Sequence, residues 1–189
     1  MEDVKILIVL FLYWFSAVQG CGQGAQIGLD EHNRLRKLHG VPDLTLNEGL
    51  CKRSAEYAEE LAQKKNLQHS EAKGEYGENL CFRSHNPEKC VQNWYDEIHL
   101  YDFSNPKFSY ATGHFTQLVW KASTDLGWGE AQDSDGTTYV VAMYTPSGNV
   151  NGQFEENVPR AKNSALGKIT VSISAMIVSI CFGLLNLAN

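Results

Sequence analysis

The sequence predicts an α+β fold, with helices layered on a sheet as in a three-layer sandwich. Three observations carry the prediction. Helical periodicity fills the first half of the central segment, and strand-like runs joined by a turn signal fill the second half. Between them there is no glycine-rich phosphate loop and no Gly-x-Ser-x-Gly elbow, so neither a nucleotide-binding parallel sheet nor an α/β-hydrolase is indicated. The chain of 189 residues suits one domain, and its 43% hydrophobic content supports a packed core. A net charge of −6 excludes a broadly basic nucleic-acid binder. The mean hydropathy of −0.31 excludes a polytopic membrane protein.

The elements follow in order. Ile6 to Phe15 is an unbroken apolar run behind Lys5, with Val18-Gln19-Gly20 after it. Such a run is too short to span a bilayer and reads as a secretory signal over residues 1–20, the alternative being a buried N-terminal helix. Gln26 to His39 reads as a helix with Ile27, His32, Leu35 and Leu38 near one stripe, stopped by Gly40 and Pro42. Asn47 is the expected N-cap of a second helix with the stripe Leu50, Ser54, Tyr57, Ala58 and Leu61. Pro87 opens a third, with Val91, Trp94 and Ile98 on one face. Phe115 to Trp120 is too short to type by period. Asp125 to Ala131 and Thr138 to Tyr144 read as strands of a hairpin turning at Asp133-Ser134-Asp135-Gly136. Residues 21–163 thus form the expected domain. Residues 164–189 follow, with Lys168 as the last charge; they read as a glycosylphosphatidylinositol attachment signal, a membrane-spanning helix or a helix held by the domain.

Five cysteines stand at 21, 51, 81, 90 and 181. Cys181 lies in the tail. The other four make an even set in a protein expected to be exported, which points to two disulfides. Three pairings are open, with a slight preference for Cys81 with Cys90 as near neighbours. No Cys-x-x-Cys and no His-Glu-x-x-His occurs, so a local metal motif is absent and any metal site must be assembled from distant segments. Among the six histidines, His69 follows the second helix and His114 opens the apolar run Gly113-His114-Phe115-Thr116-Gln117-Leu118-Val119-Trp120. Glu78 lies in Tyr76-Gly77-Glu78-Asn79-Leu80, and Glu97 stands three residues after Trp94, on one helical face. A carboxylate beside an apolar face needs a partner. Trp94 and Trp120 read as core, and Glu155-Glu156 as a solvated pair.

The run 113–123, ending Trp120-Lys121-Ala122-Ser123, resembles the first signature of the CAP superfamily. That superfamily is named for cysteine-rich secretory proteins, antigen 5 and plant pathogenesis-related proteins of group one. Val140-Val141-Ala142-Met143-Tyr144-Thr145-Pro146-Ser147-Gly148-Asn149-Val150 is similar to the second signature. His32-Asn33 with His39-Gly40, and Gly77-Glu78-Asn79-Leu80, match in order, so the likeness covers roughly 25–160. Ala142 stands where the second signature usually has cysteine. Gly152-Gln153-Phe154-Glu155-Glu156-Asn157-Val158 resembles the ending of the Golgi-associated branch, so the disulfide pattern of the secreted branch does not carry over.

The resemblance implies the three-layer α/β/α sandwich of the CAP (SCP) type. It also implies a cleft tetrad of His69, Glu78, Glu97 and His114, with His69 and His114 able to hold a divalent ion such as zinc and the glutamates lining the cleft. On this reading the protein is a secreted or cell-surface binding protein. It would take a lipid, a sterol or an extracellular protein partner without turnover, associate with a membrane through its tail, and bind no nucleic acid. Two alternatives stand beside it. One is a zinc-dependent hydrolase in which a glutamate serves as general base. The other is a purely structural polar network. Ser70 is the one evident nucleophile candidate, and adjacency to His69 alone makes no triad.

Overall fold

A computed structural model describes residues 20–72 and 74–162. The expected signal, apart from Gly20, and the tail lie outside the described residues. The elements are α1 (Gln23–His39), β1 (Thr45–Leu46), α2 (Glu48–Lys64), β2 (Gly77–Arg83), α3 (Lys89–Asp96), a 3-10 turn (Glu97–Leu100), α4 (Gly113–Leu118), β3 (Asp125–Gln132), β4 (Thr138–Thr145) and α5 (Phe154–Asn157). The sheet runs β1-β3-β4-β2, parallel only between β1 and β3.

Alternation along the strands sorts the core into two layers. Val140, Ala142, Tyr144, Leu126 and Trp128 face a cluster with Leu35 of α1, Val91 and Trp94 of α3, and Phe115 of α4. Val141, Met143, Tyr139 and Leu80 face Ala58, Leu61 and Ala62 of α2. Helices therefore cover both faces of the sheet, and the fold is an α+β three-layer sandwich.

Two β3 glycines set how close α2 lies. A Cβ on Gly127 would stand 2.4 Å from the Leu50 backbone, and one on Gly129 would stand 2.2 Å from the backbones of Ser54 and Ala55. The helix rests directly on the strand, and only glycine fits beneath it.

The Asn47 side chain accepts a hydrogen bond from the Leu50 amide at 3.1 Å, as an N-cap should. Gly40 takes a left-handed φ of 69° and closes α1. The expected α1 stripe needs correction: His32 and Leu35 are buried, but Ile27 and Leu38 are exposed, while Gly28, Arg36 and His39 turn inward. Gly28 does so because Trp128 fills the place of its Cβ, only 2.7 Å away. Arg36 is drawn in by four backbone carbonyls, those of Pro42, Leu118, Trp120 and Ser123, at 2.8–3.0 Å. Desolvation lowers its pKa to about 10, which leaves it charged at neutral pH. Trp94 and Trp120 are core residues, and Glu155 and Glu156 are exposed. The disulfides join Cys21 to Cys51 and Cys81 to Cys90.

Candidate functional site

Glu78 and Asn79 sit at the start of β2, an edge strand, and alternation points them to opposite faces. Glu78 lies on the α2 side and meets the segment that follows α2. Its carboxylate accepts from the Ser70 amide at 3.0 Å, from Ser70 Oγ at 2.7 Å, and pairs with His69 Nδ1 at 2.7 Å. The Glu78 side chain is buried, whereas that of His69 is 61% exposed. The hydrogen bond from His69 to Glu78 raises the His69 pKa against a smaller opposing effect of desolvation.

The opposite face carries the second pair. His114 Nδ1 meets Glu97 Oε1 at 2.6 Å, and Glu97 Oε2 accepts from the amides of His114 and Phe115 at 3.0 and 3.1 Å. Glu97 therefore caps α4 from the neighbouring 3-10 turn, where the local sequence offers no side-chain cap. Asn79 completes the join: its amide donates to the His114 carbonyl at 3.0 Å and to Tyr144 Oη at 3.2 Å. Tyr144 Oη in turn lies 2.8 Å from His32 Nε2, and His32 Nδ1 lies 2.6 Å from the Gly28 carbonyl. That carbonyl can only accept, so Nδ1 carries the proton and Nε2 accepts from the tyrosine. Burial lowers the His32 pKa to about 4 and raises that of Tyr144.

An open cleft of about 330 Å³ is lined by His69, Ser70, Glu78, Asn79, His114 and Asn149, with Tyr76, Phe108 and Tyr110 among its aromatic walls. His69, Glu78 and His114 thus share one cleft. Glu97 does not line it; it stands behind His114. Each imidazole gives Nδ1 to a glutamate, and among the described residues no hydrogen bond engages Nε2 of either ring. Paired this way, a carboxylate fixes the tautomer and aim of a histidine. Among the described residues no group of three or more His, Cys, Asp or Glu could hold a metal ion, so the cleft offers two imidazoles and not a complete protein cage.

Ser70 is not activated. Its Oγ donates to Glu78 and lies 2.9 Å from Tyr76 Oη, and among the described residues no imidazole bonds it. Asn79, Tyr144, Tyr76 and Asn149 are site residues to which the sequence motifs assign no role of their own. The signal for Asn79 is its place beside Glu78, where alternation sends it to the far face.

Residues 29–144 match the model of the cysteine-rich secretory protein family. The chain is 44% identical over 136 residues to human Golgi-associated plant pathogenesis-related protein 1, covering 69% of this chain and 88% of that protein. It is 37% identical over 159 residues to tobacco pathogenesis-related protein 1B, covering 81% and 94%. Protein PRY2 of Saccharomyces cerevisiae is 39% identical over 132 residues; there the match takes in 69% of this chain but 39% of the yeast protein. Among solved structures, NaASP2 with Zn2+ aligns with a TM-score of 0.58 at 21% identity over 76% of this chain and 89% of its own. Venom allergen-like protein 4 of Schistosoma mansoni aligns at 0.57 with 20% identity, over 75% and 97%. At such identities the structural likeness speaks to the fold alone, while the family match spans most of the domain: the chain belongs to the cysteine-rich secretory protein (CAP) family.

Proposed function

We propose that this protein is an exported binding protein whose cleft takes a ligand beside a divalent ion, without turnover. The observation that carries the reading is that each glutamate already accepts three hydrogen bonds from the protein. Glu78 holds His69 and the amide and hydroxyl of Ser70, and Glu97 holds His114 and two amides. Three of about four acceptor sites on each carboxylate are committed to holding a histidine and its neighbouring backbone or hydroxyl, and among the described residues no serine, threonine or cysteine side chain is hydrogen-bonded to an imidazole, so the arrangement favours orienting the two rings over the hydrolase alternative. Two oriented imidazoles suit a weakly held ion of the zinc type whose remaining positions are water, and they do not suit a closed structural site. The ion would supply a positive charge for an anionic or carbonyl group of the ligand.

Tyr110 is 92% exposed and Phe108 39%, with their rings 5.2 Å apart at the cleft wall. Exposed aromatics beside polar groups favour a protein partner over a lipid or sterol, which an open cleft of about 330 Å³ would not enclose. Two disulfides and the apolar leader support an extracellular place. So does likeness to the secreted protein RBT4 of Candida albicans, 39% identical over 144 residues that take in 73% of this chain and 38% of that protein. Membrane association through residues 164–189 belongs to the same proposal, and release from intact cells by a phosphatidylinositol-specific phospholipase C tests it.

Calorimetric titration with zinc tests the site. The wild type should bind in the weak range, and His69→Ala or His114→Ala should lower affinity at least tenfold while the fold persists. Unchanged zinc affinity in both variants would leave the pairs as a structural network. Metal-dependent peptide cleavage lost in Glu78→Gln and Glu97→Gln would overturn the non-catalytic reading.

A further inference from the structure

Two acidic-or-amide residues followed by glycine lie in exposed turns, and they differ in what holds them. In the β3–β4 turn, the Asp135 carboxylate sits 2.6 Å from Lys65 Nζ, and the Gly136 amide donates to the Asp133 carbonyl at 3.2 Å. Both groups that could react with one another are engaged. The second pair, Asn151–Gly152, follows the cleft residue Asn149. Both of its residues are exposed. Among the described residues, neither the Asn151 side-chain amide nor the Gly152 N–H makes a hydrogen bond. Gly152 has a φ of 81°, and among the described residues a Cβ placed on it would meet nothing within 4 Å. The turn is closed by a hydrogen bond from the Gln153 amide to the Val150 carbonyl at 3.1 Å.

We propose that Asn151 is a site of spontaneous deamidation. The Gly152 nitrogen, losing its proton to hydroxide, bonds to the Asn151 carboxamide carbon, Cγ. The bond from Cγ to Nδ2 breaks and ammonia leaves with a proton returned from water, giving a five-membered succinimide. Water then adds to one of the two ring carbonyls, and the ring opens to aspartate or isoaspartate. A neutral residue becomes anionic, and the isoaspartate product carries an extra methylene in the backbone. The change falls two residues from Asn149, whose side chain accepts from Thr116 Oγ1 at 2.6 Å and donates to the Gly113 carbonyl at 2.9 Å. Those bonds tie this loop to the start of α4, and so to His114.

The test is incubation of the full, oxidised protein at body temperature over days in mildly alkaline and mildly acidic buffer. Isoelectric focusing, peptide mass mapping and enzymatic isoaspartate methylation are the readouts. A new form with one added negative charge should accumulate in proportion to hydroxide and map to the peptide spanning 151–152. Asn151→Gln should abolish it, because the longer side chain disfavours ring closure. Absence of the acidic form, or its persistence in Asn151→Gln, would overturn the proposal; either result is independent of whether the cleft binds an ion.

Discussion

His32 and His69 are pushed in opposite directions by their surroundings. His69 is exposed and gains a carboxylate partner, which raises its pKa. Its contribution to stability is therefore present below the unfolded value and lost as pH rises through the folded one. His32 is wholly buried and held neutral, with a folded pKa of about 4 against 6.5. Its contribution is present at neutral pH and is lost as pH falls, because the unfolded protein takes up a proton that the folded protein refuses. The gap corresponds to about 3 kcal/mol. Urea denaturation from about pH 7 to about pH 4 should show stability falling by that order, and His32→Gln should flatten the slope. A wild-type profile that stays level across the window would show that His32 is not kept neutral. Glu78 and His114 are legible in the sequence inside ordered motifs, and His69 and Glu97, which lie outside those motifs, are legible only through the family resemblance. That Glu97 works from behind His114 is not, because it depends on a 3-10 turn whose direction no spacing reveals.

Elements are legible where one force dominates. The N-cap at Asn47, the left-handed stop at Gly40 and the β3–β4 hairpin all rest on local chemistry and stand in the structure. No strand period marks β2, because Glu78 and Asn79 break the apolar alternation; both turn inward to make hydrogen bonds rather than outward to water. The α1 stripe departs from its hydrophobic period for the converse reason: Gly28 and Arg36 are drawn inward by a tryptophan and by four carbonyls, neither visible to such a period. The α2–β3 contact yields a prediction at this scale. Gly129→Ala would drive a methyl into the helix backbone, so melting should reveal a loss at or above about 3 kcal/mol, the upper end for overpacking. Ala131→Gly, on the same face but near the strand end, should cost far less. Equal, small effects at both positions would mean that α2 can slide away freely.

Across the molecule, the disulfides fasten different distances. Cys21–Cys51 closes 30 residues and binds the beginning of the described segment to α2, while Cys81–Cys90 closes 9 and binds β2 to α3. Loop entropy assigns about 3–4 kcal/mol to the first and somewhat less to the second. Paired Cys21→Ser and Cys51→Ser should lower the denaturation free energy by that amount with the α/β/α layers retained in circular dichroism; a loss well under about 1 kcal/mol would mean that the unfolded state is already compact there. Pairing is open in the sequence because spacing alone does not state which segments become neighbours. The two imidazoles, finally, hang from opposite layers, His69 after α2 and His114 on α4, and share the cleft beside β2. Whatever grips both rings would act as a clasp across that seam, resisting the peeling of one layer from the other, so occupancy and mechanical toughness should rise together.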